Sequence, residues 1–330
     1  MPVFKGKWIK IDQKGVGPGA RSSHAVAVVG DKLYAFGGEH APRVPVDNAL
    51  HVFDFQTSTW TVASDTTGDV PPPRVGVTMA SVGPTLYVFG GRDASHAELN
   101  ELYSFDTASS AWSLLSSGPP HRSYHSMAAS ADAVFVFGGC GVGGRRNDLW
   151  EFNIGTNSWV QHAASPSPEN AACPRARGGP GLAVVKGKVV VVYGFGGEDE
   201  LEDVHLYDLG RGEWVEVDQR GERPSGRSVF STAVIGGYVV VFGGEVDPSD
   251  QGHLGAGKFS ADVYVLDVER GEWGRCEDGR LDGEHPGPRG WCAFGNGRLD
   301  GREGLVVYGG NSPSNDRLDD MWFFTLDLDS

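Results

Sequence analysis

Six arginines recur along the chain, one in each of six similar segments. A guanidinium group presents a planar fork of donors that matches carboxylate, sulfate or phosphate. If the six lay on one face, they would form a cationic ring able to capture an anion. Each arginine could instead pair with an acid or a carbonyl group of a neighbouring segment. The six are Arg21, Arg74, Arg122, Arg177, Arg227 and Arg289.

A second group of residues could bind a metal ion from one long polar loop. Glu245, Asp247, Asp250 and His253 fall within nine residues of sequence. Oxygen and imidazole ligands suit Fe(II), Mn(II) or Zn(II) better than Cu(I). The same residues could instead form a solvated acidic loop. The acidic run Glu198–Asp203 contains no histidine, and we interpret it as a solvated face.

Internal repeats define the elements that position these residues. A short apolar run followed by two glycines occurs six times, at spacings of 47 to 66 residues, with the arginine 16 to 20 residues ahead. Each repeat therefore predicts four short strands, and a period near 50 is typical of β-propellers. The glycine pairs are Gly37–Gly38, Gly90–Gly91, Gly138–Gly139, Gly196–Gly197, Gly243–Gly244 and Gly309–Gly310. The tryptophans that close five repeats are Trp60, Trp112, Trp159, Trp214 and Trp273.

The sixth repeat lacks its last strand, because only four residues follow Met321–Leu326. Residues 7–11, which precede the first arginine, can supply it and cover an open sheet edge. The sequence therefore predicts an all-β fold, a single six-bladed β-propeller over residues 1–330 that is closed by its N-terminal strand. The tryptophans are expected to fill the wedges between blades.

The topology also predicts where a site should lie. The first two strands of a repeat are antiparallel, so the arginines and the loops after the glycine pairs should share one face. Two aromatic residues, Tyr124 and Trp291, follow Arg122 and Arg289 by two positions. We expect Arg21, Arg227 and Arg289 to bind substrate at this mouth, with Tyr124 and Trp291 beside them.

Composition limits the partners. Lys and Arg total 28 against 43 Asp and Glu, a formal net charge of -15, which argues against nucleic acid and against an anionic membrane surface. No apolar run approaches the roughly 18 residues of a membrane span. Four cysteines without CxxC spacing indicate a reduced intracellular compartment. We expect a cytoplasmic protein that could also enter the nucleus.

Several stretches resemble the plant Kelch proteins of the nitrile-specifier, thiocyanate-forming and epithiospecifier group. They are Gly19–His24, Val44–Asn48, Arg122–Ser126, Arg289–Phe294 and Tyr308–Asp320. Such proteins act on the unstable aglucone that myrosinase releases from glucosinolates. They divert it from isothiocyanate to nitriles, epithionitriles or thiocyanates, and they depend on Fe(II). The resemblance implies a Kelch propeller with iron-dependent, lyase-type activity.

The resemblance also implies site residues. The iron motif of the group is Glu, three residues, Asp, three residues, His. Glu245 and His253 match its ends, but Ser249 occupies the middle position, where Asp247 or Asp250 could substitute. The arginines that hold the sulfate of the aglucone would be Arg74 and Arg122, which are thus the implied catalytic residues, and Trp291 would line the pocket.

Two functions remain open from the sequence. The first is a nitrile-specifier-like protein that uses Fe(II) on a small anionic substrate. The second is a non-catalytic binding module that captures a small anion or an acidic peptide at the arginine-lined mouth. Ser249 favours the second, because a metal site that loses a carboxylate is weakened. Either function is compatible with a monomer or a homodimer.

Overall fold

The structure is a computed structural model, and it describes residues 3–162, 172–279 and 284–328. These residues form an all-β fold, a β-propeller, whose short apolar strands supply the core. The one helical element among them is a 3-10 turn at Gly252–Leu254. No helix in the described part of the chain is long and apolar enough to cross a membrane.

Each predicted repeat forms four successive antiparallel strands, which we number as sheets 1 to 6. Sheet 1 contains Ser22–Val29, Lys32–Glu39, His51–Asp54 and Thr59–Val62; sheet 2 contains Thr78–Val82, Thr85–Phe89, Leu99–Asp106 and Ala111–Arg122. Sheet 3 contains Ser126–Ala129, Ala133–Phe137, Leu149–Asn153 and Ser158–Gln161; sheet 4 contains Gly181–Val185, Lys188–Phe195, Glu200–Asp208 and Glu213–Glu216. Sheet 5 contains Ser231–Ile235, Tyr238–Phe242, Val263–Asp267 and Glu272–Glu277; sheet 6 contains Ala293–Leu299, Arg302–Asn311, Arg317–Leu326 and Phe4–Ile11.

Short strands complete the fold at its edges. Thr67–Gly68 and Arg220–Gly221 pair in parallel with the last strands of sheets 2 and 5. Two ribbons lie in the loops that follow the second strands. They are Cys140–Gly141 with Gly144–Arg145, and Glu245–Asp247 with Lys258–Phe259.

The two ends of the chain meet in sheet 6. Phe4–Ile11 pairs antiparallel with Arg317–Leu326 along its length. Its first two residues also pair in parallel with Glu272–Glu277 of sheet 5. The N-terminal strand therefore supplies the fourth strand that the last repeat lacks, and it covers backbone that would otherwise be an unpaired edge.

An aromatic contact joins each sheet to the preceding one. A tryptophan of the fourth strand lies with its ring centroid 4.5–5.9 Å from an aromatic ring of the second strand of the preceding sheet. Trp8 takes this place in sheet 6. The prediction that tryptophans fill the wedges is confirmed. The pairs are Trp60–Tyr308, Trp112–Phe36, Trp159–Phe89, Trp214–Phe137, Trp273–Tyr193 and Trp8–Phe242.

The six repeat arginines are buried within the sheets and are at most 3% exposed. Each donates from Nη1, over 2.9–3.2 Å, to a backbone carbonyl near the end of the second strand of its own sheet. The accepting residues are Gly37, Gly90, Gly138, Tyr193, Gly243 and Gly309.

An acid or an aromatic ring at the start of the third strand completes the surroundings of each arginine. Asp148, Asp203 and Asp320 bind their arginines through both carboxylate oxygens at 2.6–2.9 Å. Arg21 meets Asp47, Arg74 lies 3.6 Å from Glu101, and Arg227 lies over the Tyr264 ring. A buried guanidinium needs such partners, because desolvation otherwise disfavours its charge. Arg21, Arg74, Arg122, Arg227 and Arg289 are therefore buried in the sheets and do not line the mouth as predicted. Their partners belong to their own sheets, and not to a neighbouring segment as the alternative required.

Two closed rings of backbone hydrogen bonds circle the channel. The first uses two residues from each sheet, and the second uses one. In the first ring, the second residue of each glycine-pair position donates its backbone N–H to the carbonyl of the next sheet's repeat arginine, at 2.8–3.0 Å. The ring begins with the bond from Gly38 to Arg74 and closes with the bond from Gly310 to Arg21. The second ring joins the residues two positions after the arginines, also at 2.8–3.0 Å. These residues all have φ of 48–60°, the left-handed region that non-glycine residues rarely adopt. They are Ser23, Gly76, Tyr124, Gly179, Val229 and Trp291.

Sheet 4 corrects the predicted glycine pair. Tyr193–Gly194, and not Gly196–Gly197, occupies the position of the pair. Arg177 donates to the Tyr193 carbonyl at 3.0 Å, and the Gly194 N–H donates to the Arg227 carbonyl at 2.9 Å. Tyr193 has a φ of 54°, so it adopts the conformation that glycine provides in the other sheets. The arginine and its carbonyl are 16 residues apart here, as in sheets 1, 2, 3 and 5.

The buried position predicts a stability effect for Arg122→Ala. The change leaves Asp148 and the Gly138 carbonyl without their cationic partner inside the sheet. We expect the free energy of unfolding, measured with urea, to fall by about 3–5 kcal/mol. Arg270→Ala, at an exposed arginine that pairs with Asp267, should change it by no more than about 0.5 kcal/mol. Equal stability of both variants would contradict the structural role of Arg122.

Candidate functional site

A cleft of about 280 Å³ opens at the mouth of the propeller, on the side of the loops that follow the second strands. It combines cationic, aromatic, thiol and carboxyl side chains. Four of them come from the equivalent position in successive sheets, directly after the paired residues: Arg92, Cys140, Phe195 and Glu245. The other side chains that shape it include Arg43, Tyr124, Arg145, Ser228, Val229 and Trp291.

The floor of the cleft is built by the second backbone ring. Tyr124 and Trp291 belong to this ring, and its left-handed φ values turn their side chains across the mouth. The Tyr124 ring lies over Gly76, where an added Cβ would come within 3.1 Å of it. The Trp291 ring meets Phe259 edge-on at 5.7 Å. Burial raises the pKa of the Tyr124 phenol, so it stays protonated. Tyr124 and Trp291 both line the cleft, and their role in binding substrate stays a prediction.

Three guanidinium groups, those of Arg43, Arg92 and Arg145, give the cleft its positive charge. Arg145 lies over the Phe195 ring at 4.6 Å, and Arg92 pairs with Glu98 through Nη2. The Nε atoms of both arginines are buried and have no hydrogen-bond partner among the described residues. Since a buried donor without a partner costs roughly 1–3 kcal/mol, both groups favour a bound acceptor. Arg146 donates from Nε to the His121 carbonyl and does not line the cleft.

The loop proposed for iron does not bring its described residues together. Glu245 lines the cleft, but its carboxyl group accepts the backbone N–H groups of Ser249 and Gly257. Asp247 forms an ion pair with Lys258 at 2.6 Å. Asp250 is exposed, and the side chain of His253 lies outside the described part of the structure. Within the described residues, no group of three His, Cys, Asp or Glu could hold a metal ion. The described side chains therefore do not fit the Fe(II) site that the resemblance implies.

Two carboxyl groups beside the cleft favour their protonated forms. Burial raises the pKa of Glu245 to about 7. Burial, and then the nearby charge of Glu245, raises the pKa of Glu200 to about 8. The Ser228 hydroxyl donates to Glu200 Oε1 at 2.9 Å, while Oε2 is buried without a partner among the described residues. The interpretation of the run Glu198–Asp203 as a solvated face is thus wrong for Glu200.

From the sequence we predicted anion binding by the arginine ahead of the first strand of each repeat. In the structure, the cleft uses the residue directly after the glycine pair instead. That residue varies from repeat to repeat while the arginine does not, and this variation was the signal that could have identified Arg92, Cys140 and Phe195. Arg145 and Arg43 lie further out in the same loops.

Comparisons with known proteins agree with a Kelch-repeat fold. A family model described as the KLHDC2/KLHL20/DRC7 Kelch-repeats domain matches residues 23–244. The N-(sulfonatooxy)prop-2-enimidothioate sulfolyase of Thlaspi arvense is 40% identical, over 98% of each chain. The leucine-zipper-like transcriptional regulator 1 homolog of Drosophila melanogaster is 28% identical over 73% of this chain and 26% of its own length. Kelch domain-containing protein 3 of Bos taurus is 26% identical over 77% of this chain and 69% of its own.

The raised pKa of Glu200 predicts a pH-dependent stability. A folded-state pKa near 8, above the ordinary value of 4.5, means that the contribution of this group is complete at acidic pH and is lost as the pH rises towards and through 8. Glu200→Gln keeps a neutral side chain, so at pH 9 it should be more stable than the wild type by about 1–3 kcal/mol. At pH 4 the two should be equal in urea unfolding.

Glu198→Gln is the matched control, because Glu198 is an exposed carboxylate two residues away. Its stability should follow the wild type at both pH values. A Glu200→Gln variant that also follows the wild type at pH 9 would show that Glu200 is not held in its neutral form.

Proposed function

Because this chain belongs to the Kelch-repeat group of plant specifier proteins, we propose that it converts a small sulfated imidothioate to a nitrile in the mouth cleft. The name of the Thlaspi arvense relative describes a substrate with a sulfate group on nitrogen and an anionic sulfur on the adjacent carbon. Such a molecule carries two negative charges and a short apolar chain. The observation that best supports the proposal is the pair of guanidinium groups, Arg92 and Arg145, in a cleft with aromatic walls.

The cleft matches the chemistry of this substrate class. Guanidinium groups bind sulfate oxygens through paired, charge-assisted hydrogen bonds. Arg92 and Arg145 have buried Nε–H groups that are unused within the described residues. As the N–O bond breaks, negative charge collects on the departing sulfate, and fixed donors that stabilise this charge lower the barrier. Tyr124, Phe195 and Trp291 provide the apolar surface for the rest of the substrate.

The protonated carboxyl groups limit competing interactions. A carboxylate beside the sulfate would repel it. With a pKa of about 8, Glu200 is mostly neutral near pH 7, whereas Glu245, with a pKa of about 7, is about half ionised. The group to which the chain belongs depends on Fe(II), which would supply a Lewis acid for sulfur. The described residues do not fit that ion, so the proposal assigns no step to it.

A non-catalytic anion-binding module is the second candidate. It is supported by the loop after Gly243–Gly244, in which Ser249 occupies the position of the middle carboxylate of the iron motif and Asp247 is paired with Lys258. For both candidates we take the chain to be a single propeller of six blades that works as a monomer or homodimer in the cytoplasm.

Product analysis tests the proposed function. Purified protein is added to myrosinase and a glucosinolate, with and without added Fe(II), and volatile products are quantified by gas chromatography. We expect nitrile to appear at the expense of isothiocyanate. An unchanged isothiocyanate yield in both conditions would overturn the catalytic proposal, and saturable binding of inorganic sulfate would then favour the binding module.

Adjacent arginines give a matched pair of variants. Arg145→Ala removes a charged donor from the cleft, and we expect the KM for the sulfated substrate to rise about 10- to 100-fold, from a loss of about 1.5–3 kcal/mol. Arg146→Ala makes the same chemical change outside the cleft and should leave KM near the wild-type value. Equal effects of the two substitutions would contradict the assignment of sulfate binding to the cleft.

A further inference from the structure

The proposed reaction releases a second sulfur atom besides the one in the sulfate, and some group must accept it. When a sulfated imidothioate becomes a nitrile, sulfate leaves with the electron pair of the N–O bond. The other sulfur leaves the carbon as well, with two electrons fewer than a sulfide. Sulfur in this state is attacked by thiolates, as in thiol–disulfide exchange, so a thiol must give up its proton as it attacks. A thiol in the cleft could therefore receive it.

Cys140 is the cysteine that lines the cleft. It begins the short ribbon of sheet 3 and pairs there with Arg145. Two backbone hydrogen bonds, of 2.9 and 2.7 Å, fix it to Ser123 at the mouth. The other three cysteines, Cys173, Cys276 and Cys292, are buried in other parts of the structure.

A second observation points to a ligand beside this thiol. Gly178, which also lines the cleft, packs closely against this thiol: an added Cβ atom would lie 3.2 Å from Cys140 Sγ and 3.8 Å from Arg145 Nε. The Nε–H of Arg145 is buried and has no partner among the described residues. A nucleophilic atom and an unused donor therefore both lie beside Gly178 in the wall of the cleft.

We propose that Cys140 accepts the sulfur atom of the substrate as a persulfide, a step that rests on the proposed function. The Cys140 sulfur attacks the substrate sulfur and forms an S–S bond. The electron pair of the C–S bond forms the third bond of the nitrile, and the electron pair of the N–O bond leaves with the sulfate. The thiol proton passes to that sulfate oxygen. The products are a nitrile, hydrogen sulfate and a Cys140 persulfide anion, so the two negative charges of the substrate are conserved.

The redox change is internal to this step. The substrate sulfur is oxidised by two electrons and the N–O bond is reduced by two, so no external oxidant takes part. Burial raises the pKa of the Cys140 thiol, while Arg145 and Arg92 oppose that rise. The thiol therefore carries its proton before substrate binds, and the proton is available for the departing sulfate. A low-molecular-weight thiol such as dithiothreitol returns Cys140 to its free form, releasing sulfide and forming its own disulfide.

The experiment measures nitrile and the mass of each cysteine peptide in the same reaction. Full-length wild type, Cys140→Ser and Gly178→Ala are incubated with myrosinase and a glucosinolate without added thiol, then alkylated and digested. We expect one additional sulfur atom on the wild-type peptide that contains Cys140, with the other three cysteines as internal controls. Cys140→Ser should lower the nitrile yield by about tenfold, equivalent to about 1.4 kcal/mol. Gly178→Ala, which keeps the thiol but crowds its sulfur with a methyl group, should lower the sulfur adduct as well.

The outcomes separate this inference from the proposed function. If the wild type and Cys140→Ser form equal amounts of nitrile, the role of Cys140 is overturned, whether or not a sulfur adduct is found. The proposed function is unaffected by that result. Nitrile formation by wild type with no adduct on Cys140 also overturns it, and this result needs no variant to fold. If wild type produces no nitrile, the proposed function and this inference fail together.

Discussion

A buried guanidinium group fixes the inner end of each sheet, and the mouth of the propeller depends on it. The repeat arginine holds the carbonyl of the paired position through its side chain. Its own backbone carbonyl receives the N–H of the preceding sheet's pair. One residue thus closes a sheet and joins it to its neighbour. Because the backbone is fixed at this point, the residue that follows the pair has a defined direction, towards the channel mouth.

This arrangement separates a constant scaffold from a variable site. The arginine, the paired residues and the wedge tryptophans recur and are buried, whereas Arg92, Cys140, Phe195 and Glu245 occupy equivalent backbone positions with unrelated chemistry. A propeller can therefore change its ligand by changing these positions without disturbing the sheets. The acidic chain as a whole is compatible with a cationic cleft, since three guanidinium groups at the mouth set the local charge.

Much of the fold could be predicted from the sequence, because the same pattern of four strands recurs in successive repeats. The closing strand was predictable as well, since the last repeat is one strand short. The residues of the site were harder to predict from the sequence. A recurring arginine has the same sequence signature whether it faces solvent or pairs with an acid such as Asp148, which lies 26 residues away.

Local substitutions explain the remaining differences. Tyr193 occupies a left-handed position where glycine is expected, so the glycine pair of sheet 4 was placed three residues too late. Glu200 lies in an acidic run in which Asp203 also binds a buried arginine, and the contact of Glu200 with Ser228 of the next repeat shows its burial. The first error arises from a substitution within the repeat, and the second from a contact between repeats that a single repeat does not encode.

The central claim is that the cleft arginines, and not the repeat arginines, bind the sulfate group. The most direct measurement is a crystal structure of the protein soaked with selenate, located by the anomalous scattering of selenium. The account predicts a peak within hydrogen-bond distance of the guanidinium groups of Arg92 and Arg145, above Tyr124 and Trp291. A selenium peak at the repeat arginines would contradict this claim. So would an empty cleft in a crystal soaked at a selenate concentration that gives the maximal rise in the thermal unfolding temperature.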